Sequence, residues 1–248
     1  MKQLPNKDIL LAQRIYFILG ALFISALVVS NLIFQKFFSW DFFGWYTFEI
    51  SVGILPYPIT FLITDVISEV YGKKKANQVV TAGIFASFFS LLIVYVADVV
   101  PATTWSPVDD TLFHTVFGAT AIAVFASMMA YLLAQYIDIQ LFHFWKRLTK
   151  GKHLWLRNNC STFLSQFVDT FTVLLLLCSF GKIDWPLFGA LLLSGFLFKV
   201  LVAALDTPLL YACVFALRKR FGLGMGEELK YDTPSLQQST VEAIKRKE

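Results

Sequence analysis

Six long apolar stretches fill most of this chain, and ionisable residues sit inside several of them. A helix needs about 20 apolar residues to cross the hydrocarbon core of a bilayer. On that criterion spans fall near 15–37, 50–71, 78–100, 117–142, 160–181 and 187–217. Asp65, Glu69, Asp169, Lys199 and Asp206 all lie within these runs. A charge near the bilayer centre costs roughly 2.5–3.5 kcal/mol on insertion scales, so such residues face a bundle interior or an aqueous cavity. The expectation is an all-α polytopic membrane protein of six transmembrane helices, with something polar to hold in its interior.

Composition agrees. The chain is 57% hydrophobic and 15% charged, against about 45–50% and 25% in ordinary soluble domains. Trp40, Trp45, Trp105, Trp145, Trp155 and Trp185 fall near the ends of apolar runs, as interfacial aromatic belts do. The first run is too long for a signal-peptide core and no small-x-small cleavage site follows it, so it is expected to be retained.

The loops set an orientation. Eighteen Lys and Arg residues lie on one side of the predicted spans, Lys36 and Lys182 on the other, and Lys199 within a span. Basic loops mark the cytoplasmic side, so both termini are expected inside. Residues 101–116 are too polar to cross and are expected on the outer surface. A transmembrane unit over 1–221 and an exposed, partly disordered cytoplasmic tail over 222–248 follow. The basic residues cluster beside spans, which argues against nucleic-acid binding. Cys160, Cys178 and Cys213 show no CxxC spacing, and His114, His143 and His153 no ligand spacing. No metal or cofactor is expected.

The second span, from Ile50 through Pro56, Pro58, Thr60, Thr64, Asp65, Ser68 and Glu69, is the most unusual. Proline removes a backbone donor and disrupts the preceding turn, so this helix should be broken in its outer half. Broken helices expose backbone groups that can bind substrate at membrane depth. Asp65 and Glu69 are four apart and share a face; the alternative for Glu69 is a side chain reaching the interface to pair with Lys73. In the fifth span Thr162, Ser165, Gln166, Asp169 and Thr172 recur every three or four residues. Gln166 offers donors and an acceptor, whereas an ionised Asp169 only accepts. The sixth span supplies Lys199 and Asp206, with a helix distortion at Thr207-Pro208. Asp169 is a natural partner for Lys199, as a functional pair or a purely structural one. Asn31 and Gln35 could join the same interior, while Gln135 and Asp138 are expected to serve the interface. No GxSxG, HExxH, P-loop or GxGD pattern occurs, so an enzyme is not expected.

The segments 55–76 (LPYPITFLITDVISEVYGKKKA) and 157–170 (RNNCSTFLSQFVDT), with the later Lys199 and Thr207-Pro208, resemble the queuosine precursor transporters. The similarity covers nearly the whole membrane region. That family in turn resembles the vitamin uptake transporters, whose six-helix units bind small heterocycles. The resemblance implies import of 7-deazaguanine bases across the cytoplasmic (inner) membrane for tRNA modification. It implicates Thr64, Asp65 and Glu69, then Arg157, Ser161, Gln166 and Asp169, then Lys199 and Thr207. A deazaguanine edge presents a ring N–H beside an exocyclic amine, which one carboxylate can accept; its carbonyl needs a donor such as Gln166, Asn31 or Lys199. Asp169 is the expected partner of the amine edge, and Asp65 or Glu69 the expected gating or proton-coupling group, with Asp206 toward the cytoplasmic side. A binding subunit for another vitamin-like heterocycle, energised by an ATPase partner, and a non-transporting scaffold remain alternatives. Ala126 and Ala130 match a small-residue packing motif, which would suit a homo-oligomer.

Overall fold

The computed structural model describes residues 6–33, 36–44, 46–118, 121–150, 152–181, 184–224 and 226–229. A long helix α1 (Asn6–Ile33) leads into a hairpin of strands β1 (Phe37–Phe42) and β2 (Tyr46–Ser51). Helices α2 (Tyr57–Val70), α3 (Lys73–Val99), α4 (Asp110–Phe113), α5 (Ala121–Leu148), α6 (Leu154–Ser179) and α7 (Phe188–Phe221) follow. Among the described residues, five helices are long and apolar enough to cross a membrane: Lys7–Ile33, Val52–Val70, Lys73–Val99, Asn159–Ser179 and Trp185–Phe221. α5 coincides with the run expected near 117–142. The chain is a predominantly helical polytopic membrane protein.

The helix α2 is the centre of the bundle. All but one of the residues from Thr60 to Val70 are buried, because α1, α3, α5 and α7 all pack on it. A helix buried on every side can carry polar residues all round only if its neighbours answer them. Its neighbours turn the opposite way: Phe85 on α3 is 72% exposed and Leu205 on α7 68% exposed, which is where acyl chains would lie. α1 and α3 approach closely at Gly83, where a Cβ would lie 2.8 Å from the Phe23 ring. Ala130 is buried inside the fold, so it is not an outward face for a second copy, and the Ala126 side chain lies outside the described residues.

The break expected at Pro56 and Pro58 is present. A 3-10 turn over Val52–Ile54 precedes α2, and Pro58 occupies its first turn, where a missing N–H is harmless. At about 1.5 Å per residue, the 14 residues of α2 cover about 21 Å, short of the roughly 30 Å hydrocarbon core. With the turn before it, the segment Val52–Val70 reaches 19 residues, long enough to cross, and the hairpin precedes it. The hairpin adds strand to a fold expected to be all helix. Its aromatic and β-branched residues suit a pleated surface, and Phe48 and Ile50 are buried against Phe198 of α7. Trp40 lies 5.9 Å from the Phe48 ring and 5.8 Å from that of Phe198. The Ser30 hydroxyl donates to the Gly53 carbonyl, tying the turn to α1.

At the other end, α2 turns into α3 through Gly72, whose φ of +85° favours glycine. The chain beyond α7 returns here. The Leu229 N–H donates to the Val70 carbonyl at 2.7 Å, and the Leu229 side chain is buried in the main core. Residues 226–229 therefore fold against the bundle, unlike the exposed segment expected from 222; the tail beyond 229 lies outside the described residues.

Candidate functional site

A half-open cleft lies between α2, α6 and α7. Tyr57, Phe61 and Phe198 form aromatic walls, and Asp65, Thr162, Gln166, Lys199 and Asp206 supply polar groups. Apolar walls with a few convergent polar groups are typical of small-molecule sites. The break before α2 is what brings Tyr57 to the cleft, at the first position of the helix.

Lys199 and Asp169 form an ion pair, with Asp169 only 1% exposed. The ammonium also lies 4.8 Å from the centroid of the Tyr57 ring, a cation–π contact. Asp169 does not itself line the cleft. Its Oδ2 accepts from Lys199, while Oδ1 has no hydrogen-bond donor among the described residues. One turn away, Gln166 is buried with its Oε1 unpartnered among the described residues, and so is the Thr162 hydroxyl. Buried polar groups almost always find partners. Two such orphans lining one cleft therefore mark a place built for a polar ligand.

The remaining expected residues separate by place. Asp65 and Asp206 face the cleft from α2 and α7. Thr64 points the other way, its hydroxyl bonded to the Phe61 carbonyl at 2.9 Å and near Gln135 Oε1 at 3.2 Å. Ser161 sits against Asp138 of α5. Thr207 bonds to the Asn159 side chain at 3.2 Å and back to the Ala203 carbonyl. Asn31 lies in a second cavity with Ser87, Ser90 and Met128, away from the cleft. The Arg157 side chain lies outside the described residues. Glu69 does not pair with Lys73: it is 0% exposed, paired with Arg218, and 3.7 Å from Lys146. Lys146 in turn holds Glu228 at 2.9 Å. Glu69 thus belongs to an ionic cluster at the basic end of the bundle, not to the cleft.

Two residues of interest were read differently from the sequence or passed over. Asp138, assigned there to the interface, is 0% exposed and accepts from Ser165 at 2.8 Å. Tyr57 carried a signal in its position between Pro56 and Pro58, at the break itself.

Residues 51–213, which contain the whole of the cleft, match the family described as "Putative vitamin uptake transporter". The chain belongs to this family. It is also similar to three curated relatives. A "Probable queuosine precursor transporter" of Bacillus subtilis (strain 168) is 28% identical over 163 residues, 65% of this chain and 70% of the relative. A protein of the same name from Haemophilus influenzae is 30% identical over 127 residues, 51% of each chain. The "Queuosine precursor transporter" of Escherichia coli (strain K12) is 28% identical over 124 residues, 50% of this chain and 52% of its own length. This chain thus spans about half the length of the latter two. No solved structure matches.

Proposed function

We propose that this protein imports 7-deazaguanine bases, precursors of queuosine, through the cleft between α2, α6 and α7. The observation that carries the reading is the pair of buried, unpartnered groups, Gln166 Oε1 and the Thr162 hydroxyl, in an aromatic-walled cleft also lined by carboxylates. A flat heterocycle stacks on Tyr57 and Phe198. Its ring N–H and exocyclic amine are answered by Asp65 or Asp206 and by Gln166 Oε1; its carbonyl is answered by Lys199 or the Gln166 amide. Asp169 then fixes Lys199 instead of touching the base. The names of the three relatives point to the same substrate class.

Six spans, α1, the hairpin-led α2, α3, α5, α6 and α7, make up the carrier. The excess of basic residues at one end orients both termini, and the segment beyond 221, toward the cytoplasm. Asp169 and Lys199 each stand about 15 Å along their helices from the outer end, near the midplane. The chemistry assigned to these side chains is recognition and passage, with no bond made or broken.

Thermal unfolding of purified protein against a panel of deazapurines, guanine and vitamins tests the reading. A ligand at 100 times its Kd stabilises the folded state by about 2.7 kcal/mol. A 7-deazaguanine should raise the unfolding midpoint and vitamins should not. Protein-only liposomes should then take up the labelled base. Stabilisation by a vitamin alone, or uptake only with an added ATPase, would overturn it.

A further inference from the structure

We propose that Asp138 and Asp65 together form a proton-binding site behind the base cleft, so that one proton accompanies each base inward. The inference rests on the transport reading above and adds a driving force to it.

Asp65 lines the cleft from α2, whereas Asp138 stands behind it on α5, wholly buried. Their carboxyl groups face one another. Ser165 donates to Asp138 Oδ1 at 2.8 Å, and Ser161 reaches the same carboxyl group. Asp138 Oδ2 has no donor among the described residues. Two ionised carboxylates are acceptors only, and two such groups in contact away from water cannot both stay charged. A single proton between them supplies the missing donor and removes one of the two charges.

Among the described side chains no cation faces the pair; that of Arg157, one turn from Ser161 on α6, lies outside them. The ionisable groups facing the pair are Glu69 on the same helix, Asp206 from α7 and the Tyr131 phenol from α5. From α6 come the two serine hydroxyls, and from α1 and α3 no ionisable group among the described residues. The nearby cations are engaged elsewhere, Lys199 by Asp169 and both Lys146 and Arg218 by Glu69. Asp65 is the member exposed to the cleft. A base N–H that engages Asp65 leaves the shared proton on Asp138, and base and proton then travel in the same half-cycle.

The test uses the full chain in liposomes with a labelled 7-deazaguanine. Counterflow without any gradient tests base transport itself; its absence removes both readings. With counterflow present, an outside medium one pH unit more acid should drive accumulation of up to about tenfold for one proton per base. A trapped pH-sensitive dye should report luminal acidification when base is added. In Asp138→Asn the ratio of gradient-driven accumulation to counterflow should fall to about one. The inference is overturned, with base transport intact, by any of three results: no accumulation and no acidification in wild type, accumulation by Asp138→Asn equal to wild type, or accumulation driven by sodium instead. The dye measurement needs no variant, so a poorly folding Asp138→Asn leaves the question decidable.

Discussion

At the scale of single residues, partnered and unpartnered side chains can be told apart by mutation. Asp169 and Lys199 neutralise each other, so removing either leaves a buried charge, at a cost of about 3–5 kcal/mol. Gln166 is different because its Oε1 has no partner among the described residues. Gln166→Leu should therefore leave the unfolding midpoint near wild type while weakening base binding about tenfold, the scale of one neutral hydrogen bond. Titration of the variant by ligand-induced thermal shift checks both halves at once. Asp65, Gln166, Lys199 and Asp206 could be recognised from the sequence because a polar group inside an apolar run is anomalous in lipid. Asp138 escaped because it falls near a predicted helix end, where acids are common. Thr64 was misplaced for another reason: periodicity gives a shared helical face, but not which neighbour that face meets. On α2, which has neighbours on all sides, the distinction decides between cleft and core.

Among the elements, the two that depart most from a plain spanning helix do the most to shape the cleft. The turn before α2 and the hairpin above it put Tyr57 and, through Phe48, Phe198 in place. The prolines forecast the break. They did not forecast the hairpin, since β1 and β2 fall between runs and show no strict alternation. The α1–α3 contact is a sharper test of packing. Gly83 lies so close to Phe23 and Leu27 that a side chain must displace them. Gly83→Val should destabilise the protein by about 1–3 kcal/mol through overpacking. Because Gly83 is absent from the cleft lining, base affinity in the folded fraction should persist. A lowered midpoint with unchanged ligand-induced shift is the expected outcome.

Across the whole molecule, the basic end is closed by a network that runs from Glu69 through Lys146 to Glu228, while the Leu229 N–H holds the Val70 carbonyl. Deleting residues 222–248 removes the burial of Leu229, a contribution of about 2 kcal/mol, and one of the two acids that balance Lys146. The truncated protein should unfold at lower temperature, and Leu229→Asp in the full chain should reproduce most of the loss. Equal midpoints for all three would show that the strap is ornamental to stability. The position of α2 has a consequence for biogenesis. A helix carrying two acids, and wrapped on all sides when mature, has little reason to leave the translocon alone, since an acid opposes insertion by up to about 2.5–3.5 kcal/mol, the figure for the helix centre. Its counterions come from Lys146 and Arg218, and these are synthesised well after it. Until they arrive, the centre of the finished bundle must shelter at the channel wall or lie at the interface, so the last helix made completes the membrane residence of the second.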